Sequence, residues 1–335
     1  MSNDKRYPFV SVVVCSKGRH DLLLLAVESI RQSSYPRDRF EIVVVEEGVE
    51  PRPVEGVVYV YLPLKNLGIG YCHNRGVQSA RGEIIAFTDD DVIVDREWLE
   101  NLASSFDEPK VYGAAGLVRT MRGRAFGETE EILGLPGGGL RALARSGGTI
   151  VPTGNLSTCN LAYRRCVFDE FSFLETSFGK FGGDDWYLGK QVSEKYMTVF
   201  NPHALVYHRP KATIARLVHT YYRRQLTDYL GKRHLKNESK MKAVFGKKHH
   251  CVIFRVAAAL TITLAGGLGG IILLCTGYYL LSLVSIAGLW RYVGNKKPFF
   301  LYPFIKGVTE IGILKGELLI FFASEKKFDE ILERY

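Results

Sequence analysis

Within its first ninety residues the chain alternates short β-branched runs with helical patterns, and few architectures accept that order. "FVSVVVCS" (9–16) is continuously apolar, as expected of a strand buried on both faces of a parallel sheet. "DLLLLAVESIRQ" (21–32) follows as a helix, with Asp21 suited to its N-cap or first turn. "FEIVVVEEG" (40–48) and "VVYVYLP" (57–63) are the next strands, "IGYCHNRGVQSARG" (69–82) a helix closed by Gly82, and "EIIAFT" (83–88) a fourth strand. The fold class is therefore α/β, a mostly parallel, doubly wound sheet flanked by helices. Ligands of such sheets bind beyond the carboxyl ends of the strands, which makes Cys15–Arg19, Glu46–Glu47 and Asp89–Asp91 the residues of interest.

"FTDDDVIVD" (87–95) carries three adjacent carboxylates between apolar runs. Asp89 and Asp91, two apart at a strand end, can converge on one cation. Few, hard oxygen ligands suit Mg2+ or Mn2+. The competing reading is a helix N-cap cluster ahead of Trp98, but Asp95 in "VDREWLE" already serves as that cap. Asp184 and Asp185 in "GGDDWYL" likewise read as a capped helix start. The glycine-dense stretch from Gly113 to Gly154 is either a mobile active-site loop or a loose surface connection.

Charge and hydropathy divide the chain. The net charge is +9, and Arg209 to His250 holds twelve Lys/Arg against Asp228 and Glu238, or +10. Cys251 to Trp290 carries only Arg255. A basic block beside an apolar block points to an anionic membrane leaflet rather than to nucleic acid. As one helix, forty residues would span about twice a bilayer core, so a hairpin is expected near 253–274 and 277–293, turning at Thr276–Gly277. Lys247, Lys248, Arg291, Lys296 and Lys297 flank it, which predicts both ends on the cytoplasmic side. Residues 212–230 read as an amphipathic interfacial helix with Val218, Tyr222, Leu226 and Tyr229 on one side. A last helix near 300–323 places Lys306, Glu310 and Glu317 within about 40° of one another, and is either interfacial or a third span. The expected organisation is a domain at 1–210, a basic interfacial segment at 211–250 and a membrane region at 251–335. The six cysteines form no C-x-x-C and read as free thiols in a reducing compartment. No N-terminal signal peptide is expected.

The ordered series "VSVVVCSKGR", "SIRQSSYPRDRFEIVVVEEG", "KNLGIGYCHNRGVQSARGEIIAFTDDDV", "GNLSTCNLAYRR" and "GGDDWYLGKQ" resembles a family 2 glycosyltransferase from about Phe9 to His208. The resemblance implies the GT-A fold, a nucleotide-diphosphate sugar donor, a divalent metal and inversion at the anomeric carbon. It makes Asp89 and Asp91 the acids of a D-x-D element facing nucleotide and metal, with Asp90 a secondary donor-binding candidate turned partly away. Asp185 becomes the catalytic base, with Asp184 in the neighbouring acid position, and His208 a third metal ligand. Ser16, Arg19, Glu46 and Asn66 become donor-binding candidates. Glu46–Glu47 replaces the family's D-D pair, and Gly18 its usual Asn, which leaves the base preference open.

Together these features imply a membrane-anchored enzyme, multi-pass in the cell membrane with its catalytic domain cytoplasmic. It would move one sugar to a lipid-linked or glycan acceptor. Gln225 is followed by "LTDY" where processive polysaccharide synthases of the family carry Q-x-x-R-W, which favours single transfer over that alternative. A sugar nucleotidyltransferase is the other enzyme alternative, and a non-catalytic membrane scaffold the non-enzyme one. Oligomeric state is not legible.

Overall fold

The computed structural model describes residues 7–121, 125–134, 136–175, 183–210, 213–236, 274–292 and 297–322, with isolated positions between 251 and 273. The chain divides into two compact units. One comprises Met1–Arg122, Gly134–Lys180 and Asp184–Pro210; the other Gly123–Leu133, Phe181–Gly183 and Lys211–Tyr335.

The first unit begins with β1 (Val10–Lys17), α1 (His20–Arg31), β2 (Phe40–Gly48), β3 (Val58–Pro63), α2 (Ile69–Ser79), β4 (Ile84–Asp89) and β5 (Val92–Val94). After α3 (Trp98–Ser104) and β6 (Val111–Thr120), the chain gives α4 (Ala125–Leu133) to the second unit. It returns with α5 (Gly139–Ser146), β7 (Val151–Pro152), β8 (Asn160–Arg164), α6 (Asp184–Lys195) and β9 (Met197–His208). The sheet order is β3-β2-β1-β4-β8-β6-β9-β5, with β7 on β9. From β3 to β4 all pairs are parallel, as expected. Beyond β4 the sheet is mixed, because β8 runs antiparallel to both β4 and β6.

Alternation along β1 builds a core on each face. Val12 and Val14 join Leu23, Val27 and Trp98 on one side, whereas Val13 and Cys15 join Val45, Phe87 and Leu188 on the other. Burial on both faces accounts for the unbroken apolar run. The buried Asn160 joins the layers: its Oδ1 accepts from Trp98 Nε1 at 2.8 Å, and its Nδ2 donates to Leu117 O at 3.0 Å and Ala204 O at 2.9 Å.

Several local expectations are corrected. α2 ends at Ser79, short of Gly82. The N-cap of α3 is Glu97 rather than Asp95, whose Oδ1 accepts from Glu97 N–H at 3.1 Å one step earlier. Gly113–Thr120 is a strand, and the rest of the glycine-dense stretch contains helices. Its small residues serve close packing: a Cβ on Gly116 would lie 2.3 Å from both Asn160 Nδ2 and Ala204 O.

In the second unit, α7 (Ile214–Lys236) pairs with α8 (Lys297–Phe322). The backbones meet closely, for a Cβ on Gly312 would lie 2.2 Å from Val218 O and one on Gly316 2.8 Å from Gln225 Cβ. Residues 274–286 are helical and 287–292 form a 3-10 turn. Thr276 and Gly277 therefore lie within a helix and are not the expected turn; one interior glycine costs only about 1 kcal/mol. The expected first arm of the hairpin, 253–274, lies mostly outside the described residues. Among the described residues no helix is long and apolar enough to cross a membrane. The reading of α8 as a third span is thereby corrected: Lys297, Lys306, Glu310, Lys315 and Glu317 interrupt its apolar sequence. Within this unit α8 exposes Phe300, Phe304, Ile311 and Leu318, all within about 40° on the helix, and buries Thr309 and Glu317.

Candidate active site

The parallel register brings the ends of β1, β2 and β4 side by side. Cys15 pairs with Asp89, and Ser16 and Lys17 pair with Glu46 and Glu47. Asp90, just past β4, is fully buried. Its Oδ2 accepts from Ser16 Oγ at 2.8 Å, and its Oδ1 lies 2.5 Å from Arg19 Nη2. Arg19 Nη1 also donates to Asp91 Oδ2 at 2.8 Å, and Asp91 Oδ1 lies 3.4 Å from His208 Nε2. Asp90, a donor-binding candidate by sequence, thus spends its contacts on Ser16 and Arg19, which hold the strand end rigid.

Two further clusters border this one. Glu46 accepts from Tyr59 OH at 2.7 Å and meets His20 Nδ1 at 3.0 Å. The buried Glu47 accepts the backbone N–H groups of Lys65, at 2.8 Å, and Asn66. Asn66 holds a left-handed φ of 53° there, and its side-chain oxygen accepts from Lys17. Glu47 thereby shapes the turn while Glu46 faces its own ring partners.

At the start of α6 the two acids separate. Asp184 is buried, its Oδ2 2.9 Å from Nδ1 of the buried His73 on α2. Asp185 stays partly exposed; its Oδ1 accepts from Trp186 N–H at 2.7 Å and its Oδ2 from Thr158 N–H at 3.3 Å. The residue after Thr158 is Cys159, and its thiol, one Asp89 oxygen and one His208 nitrogen lie within 4.8 Å of one another. That mixed oxygen, nitrogen and sulfur set, mostly buried, fits a divalent ion.

Burial and crowding raise the acids. Asp89 is pushed up to about 7, by burial and then by Asp91 and Asp90, with His73 and Arg19 opposing. Burial carries Asp90 up to about 6 despite Arg19 and Ser16. Asp185 is raised as well, by burial and then by Asp184, against the Trp186 N–H, His73 and Ser157. His20, Tyr59, His73 and Cys159 escaped the sequence reading. His73 and Cys159 sit inside quoted motifs, and only the strand register brings Cys159 opposite Asp89.

Residues 11–170 match the profile of Glycosyl transferase family 2. That segment, just under half of the chain, is similar to the family 2 glycosyltransferases. Asp184, Asp185 and His208 lie beyond the matched segment. The glucosyl-dolichyl phosphate glucuronosyltransferase of Haloferax volcanii is 28% identical over 188 residues, 52% of this chain and 58% of that protein. Glycosyltransferase AglE of the same organism is 25% identical over 107 residues, 29% of this chain. The chain spans 58% and 35% of the lengths of these two relatives. Mannosyltransferase PcManGT from Pyrobaculum calidifontis, solved in complex with GDP-Man and Mn2+, matches 96% of this chain and 89% of its own, with a TM-score of 0.61 at 17% identity. That likeness establishes a shared GT-A-like α/β fold.

Proposed function

We propose that the protein is an inverting glycosyltransferase. It moves one sugar from a UDP- or GDP-sugar to a lipid-linked acceptor, with Asp185 as the base. One observation carries this reading: the adjacent residues Thr158 and Cys159 border both the candidate base and the cluster of Asp89 with His208. Thr158 N–H donates to Asp185 at 3.3 Å, while the next side chain converges with Asp89 and His208.

A Mg2+ or Mn2+ ion held by Asp89, Asp91 and His208 would supply positive charge against the diphosphate as it departs. The chain's own residues do the rest. Arg19 fixes Asp90 and Asp91 at 2.5 and 2.8 Å, so the strand end need not reorganise as charge develops. Glu46, with His20 and Tyr59, and the turn at Asn66 form the nucleoside side of the crevice. Asp185, raised by burial and by Asp184, is a stronger base than a solvated carboxylate and takes the acceptor hydroxyl's proton. With no second carboxylate acting as nucleophile, a single displacement inverts the anomeric carbon.

The lipid-linked acceptor is supported by the relative named for glucosyl-dolichyl phosphate and by the outward apolar row of α8. The +10 segment from Arg209 to His250 suits an anionic cytoplasmic leaflet on which α8 lies rather than spans. The test supplies labelled UDP- and GDP-sugars to membranes carrying the protein, with Mn2+ or Mg2+ and then with EDTA. Label entering the lipid phase only while metal is present is the expected result. No metal-dependent transfer from any donor would sink the reading.

A further inference from the structure

We propose that Cys159 is a ligand of the divalent ion, so that the centre is a carboxylate, imidazole and thiolate set that favours thiophilic ions such as Co2+, Zn2+ or Cd2+ over Mg2+. The inference rests on the metal-assisted reading above and adds a donor that hard-ion sites do not use.

The backbone explains why the thiol is there. β4 and β8 run antiparallel with Thr88 opposite Asn160, which leaves Asp89 and Cys159 as the adjoining pair at the open end. Thr88 Oγ1 donates to Cys159 O at 3.0 Å and pins that end of β8. His208 arrives from β9, in register with Val92 of β5 and Thr120 of β6. Three strands thus bring three different donor atoms within 4.8 Å of one another.

The chemistry of that set differs from a pair of carboxylates. Thiolate and imidazole donors select the later first-row divalent ions, whereas carboxylate and water suit Mg2+ and Mn2+. Cys159 is 2% exposed and His208 5%, so neither donor is swamped by water. Coordination exchanges the S–H bond for a metal–sulfur bond and releases the thiol proton to solvent. Asp91 Oδ1, 3.4 Å from His208 Nε2, stands close enough to complete the shell.

The test uses the full chain, stripped of metal and titrated separately with Co2+ and with Mn2+. Wild type is expected to develop a thiolate-to-cobalt charge-transfer band in the near ultraviolet. Cys159→Ser and Cys159→Ala are expected to lose that band and to weaken Co2+ by more than the roughly 10- to 100-fold typical of outer-shell partners. Mn2+ binding, followed by paramagnetic resonance, should persist in both and report an intact fold. Co2+ bound without the band in wild type, or a band retained in Cys159→Ala, overturns the proposal while leaving the glycosyl-transfer reading standing. Failure of the wild type to bind either ion overturns both.

Discussion

β1 and α8 are both strongly apolar, and they dispose of their side chains in opposite ways. Every residue of β1 except Lys17 is buried, and its apolar side chains are divided between the two cores of the sheet. α8 leaves Phe304 62% and Ile311 59% exposed while Glu317 is 2% exposed. The helical run before it follows the same rule, with Leu281 and Val284 outward and Ser282 inward. Apolar content alone therefore does not say where a core is. An element that hides polar groups and presents an apolar row is an exposed apolar patch, the reverse of a soluble core.

Variants can break this contrast, beginning with the catalytic unit, where buried charge serves chemistry. Asp185→Asn should retain donor binding in a calorimetric titration and lose transfer by about 10² to 10⁴-fold, the usual range for removing a general base. Full activity in that variant would remove Asp185 from the mechanism. In the other unit the apolar row should serve adhesion. Phe300→Ser with Phe304→Ser should sharply reduce co-sedimentation with anionic vesicles, since each buried Phe contributes about 1.5 to 3 kcal/mol. The melting temperature should change little, because both side chains are already exposed.

Smaller effects sharpen the comparison from inside the sheet. Asn160→Ala removes the partner of Trp98 Nε1 and of two carbonyls, and should cost about 1 to 3 kcal/mol in urea unfolding. The remaining expected effect is a pH dependence. Asp89 and Asp90 titrate near 7 and near 6 in the fold, above their ordinary values, so folding favours their protonated forms. Metal-free protein should therefore lose stability as pH rises from about 4 to about 7. Bound divalent ion should abolish the loss. A melting temperature that climbs over the same window without metal would show that the crowding of these carboxylates has been misjudged.

The sheet's parallel half was legible because burial on both faces leaves an uninterrupted β-branched signal. β2 begins and ends where the pattern predicts. The strand Val111–Thr120 was not, since glycine and alanine replace β-branched residues where Asn160 and Tyr163 lie across it. The strand-end acids were legible from position alone, and Asp90 was expected to turn partly away, but the partners of these acids were not legible. Asp90 turns inward to Ser16 and Arg19, and Asp184 to His73, through contacts between residues 74 and 111 positions apart in the chain. Cys159 gave no motif, because only the register of β8 against β4 reveals its neighbour. A span at α8 was one of two readings from hydropathy, which counts apolar residues without asking which way they face.

The place of β8 between β4 and β6 bears on biosynthesis. Among the described residues β8 is the strand that hydrogen-bonds the sheet's two halves together, and it leaves the ribosome roughly 70 residues after β4, several seconds at ordinary translation rates. Until then the "IIAF" edge of β4 is an open, apolar template for pairing with a neighbouring nascent chain. Chains arrested before Asn160 should bind holding chaperones, and chains arrested well beyond Arg164 should release them. The strand that assembles the crevice is also the strand that ends the protein's period of greatest exposure to aggregation.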